Sequence, residues 1–149
     1  DVRDDDRKVI VDVPDDIFLV SYDKKKMVLA LNHLLENAYK FSPLGGDILV
    51  TVSSLSRNTR DYVCVQVKDE GVGMSKIELQ HIFDRFYKIE AAETDPGSGL
   101  GLALVKEIVR IHSGEIDVVS TPGLGTSFNM YFPLAGKVSA KDNEIPGNN

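Results

Sequence analysis

The sequence predicts an α+β fold, a two-layer sandwich in which a mixed, largely antiparallel sheet packs on about three helices. Two long stretches carry apolar residues at helical spacing, and the runs between and after them alternate with a period of two. Helices and strands are segregated in order rather than wound by repeated crossovers, and there is no internal repeat. With 149 residues, 42% of them hydrophobic, the chain has material for one core and one domain. That domain is expected over residues 1–133; residues 134–149, rich in Gly, Ser, Lys and Asn, are expected to be a disordered tail.

Each element has its own signal. Residues 8–13 and 17–21 are short β-branched runs separated by Pro14 and two aspartates, read as a hairpin or as two successive strands. Over residues 23–41, Met27, Leu31, Leu34, Leu35 and Ala38 recur at helical spacing, with Asp23 a candidate N-cap and Pro43, Gly45 and Gly46 ending the helix. Ile48, Val50 and Val52 alternate with Leu49, Thr51 and Ser53, and a polar stretch over residues 55–60 turns the chain back into Val63, Val65 and Val67, an antiparallel hairpin. Ser75 and Glu78 have capping-box spacing and open a short helix through Ile82. Residues 87–97 lose all periodicity and carry Glu90, Glu93 and Asp95, so they read as a mobile loop. A second long helix follows, with Leu102, Val105, Ile108 and Val109 on one stripe and Ser113-Gly114 as its exit. Residues 116–119 form one closing strand; in the next, Thr126, Phe128, Met130 and Phe132 share one parity.

Composition narrows the function. The net charge is -6, without the basic stripe that neutralises a phosphate backbone, so nucleic acid is not the expected partner. Cys64 is the single cysteine, which excludes an internal disulfide framework and fits a reducing, cytoplasmic compartment. No apolar run approaches the roughly 20 residues of a membrane helix, so these residues are not expected to insert in a membrane, whatever the parent is tethered to.

Three constellations carry chemistry. On the first long helix His33, Asn37 and Lys40 share a face, roughly opposite the Leu31/Leu34/Ala38 stripe. An amide oxygen beside an ammonium suits Mg²⁺ bridging phosphates, because that ion keeps several waters and takes one or two protein oxygens; alone, such a face is more often simply solvated. Asp69 ends a strand on the same side as Val63, Val65 and Val67, so its carboxylate needs hydrogen-bond donors, and an exocyclic amine of adenine would supply one. Gly71 and Gly73 follow and let the backbone turn and a flat ring approach, although a tight turn capped by Asp69 reads equally well. Gly97, Ser98, Gly99, Leu100, Gly101 and Leu102 precede the second long helix, where free amides and the positive end of the helix dipole bind phosphate. Alone, that glycine loop reads equally as a hinge. The order in the chain of metal-ligand helix, adenine carboxylate, acidic lid and phosphate loop makes coincidence the poorer account.

These residues resemble the sensor histidine kinases, whose Bergerat ATP-binding fold is shared with gyrase, the MutL repair proteins and the heat-shock chaperone ATPases. The resemblance runs over residues 8–133. Residues 31–41 (LNHLLENAYKF) look like the N box, 69–74 (DEGVGM) like the first glycine box and 82–88 (IFDRFYK) like the F box, characteristic of the kinase branch. Residues 97–102 (GSGLGL) look like the second glycine box and 123–128 (GLGTSF) like the last.

The resemblance implies that Asn37 holds Mg²⁺, that Lys40 and Lys88 contact phosphates, that Asp69 binds the adenine amine and that Thr126 helps through its hydroxyl. By the same resemblance Phe41, Gly71, Gly73, Gly97, Ser98, Gly99, Leu100, Gly101 and Leu102 line the nucleotide site, and Phe83 and Phe86 anchor the lid, although aromatics there read equally as an ordinary core helix. Two departures stand out. His33 occupies the place of an Asn in many of these kinases, and of a water-activating Glu in the ATPase relatives, so slow hydrolysis is expected. None of His33, His81 and His112 resembles the phosphoacceptor box. The expected activity is therefore transfer of the γ-phosphoryl of ATP to a histidine on a separate dimerisation domain, with a response regulator downstream. The alternatives are an anti-sigma-factor serine kinase of the same fold, against which the F box counts, and a nucleotide-binding module without transfer activity.

Overall fold

The computed structural model describes residues 7–42, 46–88 and 99–139. In chain order these form β1 (Val9–Asp12), β2 (Ile17–Leu19), α1 (Lys24–Phe41), β3 (Ile48–Arg57) and β4 (Arg60–Asp69). There follow α2 (Lys76–His81), α3 (Gly101–Ile111), β5 (Glu115–Thr121), β6 (Gly125–Pro133) and β7 (Gly136–Val138). The main sheet has the order β1-β3-β4-β6-β5; β1 runs parallel to β3 and the other pairs are antiparallel. This is the expected α+β sandwich, with α1 and α3 packed together over one sheet face.

Local chemistry accounts for the elements. The Asp23 side chain accepts from the Lys26 N–H at 3.1 Å and caps α1, while Ala30, Leu34 and Ala38 on its inner stripe are buried. α3 buries Val105, Ile108 and Val109 against them, and the sheet supplies Ile48, Val50, Val67, Phe128, Met130 and Phe132. Ser75 and Glu78 form a capping box in both directions. The β3–β4 turn is tighter than expected: the ladder continues to Arg57 opposite Arg60, and only Asn58 and Thr59 remain between. Both have φ in the left-handed region, at 50° and 65°, as a two-residue hairpin loop matching strand twist requires. None of the described helices is long and apolar enough to cross a membrane.

The two early strands do not form a hairpin. β1 lies beside β3, with Ile48 N–H donating to the Lys8 carbonyl at 2.9 Å, and Pro14, which has no N–H for a ladder, carries the chain away from that sheet. β2 pairs antiparallel with β7, Ile17 facing Val138 and Leu19 facing Gly136. The expected disorder from residue 134 therefore does not hold over residues 134–139. Composition misled because a three-residue strand needs only a backbone partner. β2 supplies one, through Ala135 N–H to the Leu19 carbonyl at 2.7 Å and a 3.2 Å ion pair between Lys137 and Asp16. The rest of the expected tail, residues 140–149, lies outside the described residues.

Two polar devices fix these layers. His112, after α3, accepts the Asp23 N–H at Nε2 (2.9 Å), and its Nδ1 lies 2.7 Å from the Ile108 carbonyl. Both contacts are satisfied by the neutral ring protonated on Nδ1, which ties the end of α3 to the start of α1. On the sheet face away from the helices, the Gln66 amide donates to Asn129 Oδ1 (2.8 Å) and the Asn129 amide donates to Asp117 Oδ1 (2.8 Å), spanning β4, β6 and β5. Asn129 is 6% exposed. Beside it, burial and the neighbouring Asp117 push the Tyr131 hydroxyl up to about 12.

Because β7 closes the ladder of β2, ending the chain at Pro133 is expected to lower unfolding stability by about 1–2 kcal/mol, the net worth of one or two lost hydrogen bonds. Urea denaturation of the two lengths side by side checks this, and equal midpoints would show that β7 contributes nothing.

Candidate functional site

A narrow cleft opens between α1 and the strand ends, lined by Asn37, Phe41, Asp69, Gly73, Met74, Leu102, Thr126 and Phe128. Asp69 sits in it at the end of β4, only 4% exposed. Its Oδ1 accepts from the Gly71 N–H (2.8 Å) and the Thr126 N–H (3.3 Å). Both bonds fall on one oxygen, and among the described residues Oδ2 accepts none. Burial pushes the carboxyl above its ordinary range, partly offset by the two N–H bonds.

Close backbone packing sets the shape around Asp69. The Val72 N–H donates to the Phe41 carbonyl at 3.0 Å, joining the end of α1 to the glycine turn. A Cβ on Gly71 would stand 2.2 Å from that carbonyl oxygen, so the room left at Gly71 is filled by backbone and not by a ring, as the sequence had suggested. Gly73 does line the cleft; its φ of 69° and the Thr121 carbonyl 2.1 Å from a built Cβ both demand glycine. Ser120 ties the far wall together, accepting the Met74 N–H (2.8 Å) and sharing a hydrogen bond with the Thr126 hydroxyl (2.8 Å).

Of the residues expected at a site, Asn37, Phe41, Asp69, Gly73, Leu102 and Thr126 line this cleft, and Gly71 stands behind Asp69. Asn37 follows the α1 helix about 100° from buried Ala38, so its face lies beside the core stripe and not opposite it. His33 is close to the phosphate-loop helix: a Cβ on Gly101 would be 3.1 Å from His33 Nδ1. Lys40 is exposed, its Nζ 5.6 Å from the Phe41 ring centre, and Lys88 is exposed at the end of its described stretch; neither lines the cleft. Leu100 is the N-cap of α3 without a side-chain cap, and Gly99 accepts the Phe86 N–H at 3.0 Å. Gly97, Ser98 and the loop over residues 89–97 lie outside the described residues.

The two F-box phenylalanines part company. Phe83 packs on the core, edge-on to Phe128 at 6.3 Å between ring centres, whereas Phe86 is 71% exposed and held at a φ of 65°. Sequence reasoning missed Met74, Phe128 and Ser120 as site residues. Phe128 shares the parity of Thr126 two positions earlier and could have been found that way; Ser120 is visible only once β5 is paired with β6, opposite Thr126.

A profile of the histidine kinase-, DNA gyrase B- and HSP90-like ATPases matches residues 22–136. The chain belongs to that family. It is 38% identical over 126 residues to the sensor histidine kinase WalK of Bacillus subtilis (strain 168), covering 83% of this chain and 20% of WalK. It is 39% identical over 115 residues to the sensor protein SrrB of Staphylococcus aureus (strain NCTC 8325 / PS 47), covering 76% of this chain and 19% of SrrB. The chain thus spans about one fifth of the length of these curated relatives. Among solved structures, a mycobacterial sensor histidine kinase, MprB, superposes with a TM-score of 0.73 at 29% identity, covering 85% of this chain and 84% of that one. Full-length ShkA, in complex with AMPPNP, superposes at 0.74 with 26% identity, covering 91% of this chain and 27% of that one. In this family member the N box, first glycine box and F box fall on α1, the β4 exit and the α2 exit; the described residues 99–102 of the second glycine box enter α3, and the last box runs from the β5–β6 turn into β6.

The raised Asp69 carboxyl has a stability consequence. A group whose folded value lies above its unfolded value of 3.8 contributes most below that pH, and the contribution is lost as pH rises through the folded value. Asp69→Asn keeps the acceptor for both N–H groups without the buried charge. The ligand-free variant is therefore expected to gain stability over the parent as pH climbs above 3.8, reaching a plateau once the parent carboxyl has ionised. Urea midpoints across that pH range check it; parallel curves would contradict the burial of an ionised carboxylate.

Proposed function

We propose that this chain is the catalytic domain of a sensor histidine kinase: it binds Mg-ATP and donates the γ-phosphoryl group to a histidine on a separate dimerisation domain of its homodimeric parent, from which a response regulator takes it. The observation that supports this best is Asp69. A buried carboxylate with one oxygen satisfied by two backbone amides and the other open to an apolar slot suits a planar ligand that carries an amine, and adenine is such a ligand. Met74, Leu102 and Phe128 supply the apolar walls, and the Thr126 hydroxyl, oriented by Ser120, supplies a second polar contact.

The residues present fit a magnesium ion bound together with a nucleotide. Among the described residues there is no cluster of three or more His, Cys, Asp or Glu able to cage a metal. Asn37 offers one neutral oxygen at the cleft, the donor count expected where phosphates and water complete the shell. When bound, the ion neutralises phosphate charge. The chain's own part is to hold the base at Asp69, to turn the amino end of α3 toward the phosphates, and to bring Lys40 and Lys88 to bear on them. Transfer breaks the bond from the γ-phosphorus to the bridging oxygen and forms one to an imidazole nitrogen, releasing ADP.

That imidazole comes from outside these residues. His112 has both nitrogens engaged, His81 is 2.9 Å from Asp84 on the surface, and His33 stands beside Gly101 on the same helix as Asn37. Family membership and the kinase-type relatives support the reading, which places the chain in the cytoplasm whether or not its parent is anchored in a membrane.

Calorimetry is expected to show Mg-ATP and Mg-ADP binding to this chain, and no binding at millimolar nucleotide would refute the proposal. Asn37→Ala should weaken metal-dependent binding, and Asp69→Ala adenine binding, each by on the order of tenfold or more, because a buried partner is left unpaired.

With radiolabelled ATP the chain alone should take up no acid-labile label, whereas an added histidine-bearing dimerisation domain should become labelled. Label on the chain itself that disappears in His33→Gln would instead make His33 an acceptor.

A further inference from the structure

We infer that the outer edge of β1 is a self-pairing surface, through which two copies of this chain form an antiparallel β1–β1 contact about a two-fold axis. β1 is the edge of the main sheet, and its apolar residues are unusually open for a strand: Val9 is 38% exposed, Ile10 46% and Val11 61%. In its parallel ladder with β3 the Lys8 carbonyl takes the Ile48 N–H, so Lys8, Ile10 and Asp12 direct their backbone groups to β3. By alternation Val9 and Val11 direct theirs outward, and among the described residues nothing meets them.

The spacing of side chains makes this edge complementary to itself. Antiparallel pairing centred on Ile10 sets Ile10 opposite the second copy's Ile10. Val9 and Val11 then exchange both backbone bonds with Val11 and Val9 of the other copy, in the wide hydrogen-bonded register that outward groups allow. The same register sets Lys8 opposite the other copy's Asp12, twice, in the narrow non-bonded positions where side chains approach most closely. Neither Lys8 nor Asp12 has an ion pair among the described residues of its own copy. A parallel or shifted pairing would not match both charges and the valines at once.

The apolar surface continues onto α1. Arg7 donates to the Tyr39 and Ser42 carbonyls and lies over the Tyr39 ring, placing the start of β1 beside Tyr39. Leu35 and Val28 follow on the same helical stripe, Val28 being 50% exposed. A contact of five residues per strand, from Lys8 to Asp12, with its flanking stripe is smaller than the roughly 1,200 Å² of a stable interface, so the dimer is weak, with a dissociation constant on the order of 0.1 mM. It is isologous, and it extends the sheet from five strands to ten.

Sedimentation equilibrium of the chain from about 0.01 mM to about 1 mM tests this range. A reversible monomer–dimer equilibrium is expected. Lys8→Asp or Asp12→Lys alone, which places like charges opposite each other twice, should weaken it about tenfold, and the two together should restore it. Val11→Pro removes an outward N–H at a position where an edge strand accepts proline, and should abolish dimers while circular dichroism stays that of the parent. Should that variant fail to fold, the charge pair still decides. A monomer throughout, or a dimer indifferent to the charge reversals, overturns the inference; the latter would place the contact on another surface.

Discussion

Much of the cleft depends on one atom, Oδ1 of Asp69. By accepting from Gly71 and from Thr126 it locks the turn that follows β4, and the start of β6 that the ladder already sets opposite Asp69, onto a single point. A buried carboxylate is tolerated only where such donors are fixed. The donors in turn are fixed by close backbone contacts: the Phe41 carbonyl against Gly71 and Val72, and the Thr121 carbonyl against Gly73. A site with its second carboxylate oxygen open is thus a by-product of how the first is satisfied.

The electrostatics of the two long helices complement that arrangement. α1 arrives at the cleft with its carbonyl end, whose partial negative charge is offset by the Arg7 guanidinium on the Tyr39 and Ser42 carbonyls and by Lys40 in the last turn. α3 leaves from the same region with its amide end. Packing the helices side by side therefore brings a screened negative end and an open positive end together, a field suited to an anionic ligand.

The parts of this fold that were legible in the sequence are those governed by local chemistry. Asp23 caps a helix whatever surrounds it, Ser75 and Glu78 satisfy each other within one turn, and alternation along β4 put Asp69 on the buried side. What escaped is set by partners distant in the chain. β7 exists because β2 offers a ladder more than a hundred residues upstream, and β1 lies parallel to β3 because Ile48 takes up its carbonyl. Ser120 enters the site only through its pairing opposite Thr126, and the face of Asn37 proved to flank the core because one helical step turns a side chain by only about 100°. Cross-strand register is invisible to local patterns.

Register itself can be given a cause in the Gln66–Asn129–Asp117 chain on the far face of the sheet. Sliding β4 along β6 by two residues would preserve the apolar parity of Val63, Val65 and Val67 against Phe132, Met130 and Phe128, so the core alone has little power to reject the slip. The amide chain opposes it, because a displaced Gln66 gives up its bond to Asn129 Oδ1 and leaves that oxygen only the Ser127 hydroxyl at 3.2 Å, a net loss of about 1 kcal/mol. Residues that never see the cleft thereby act as its alignment gauge, keeping Asp69 level with Thr126 from the opposite side of the sheet.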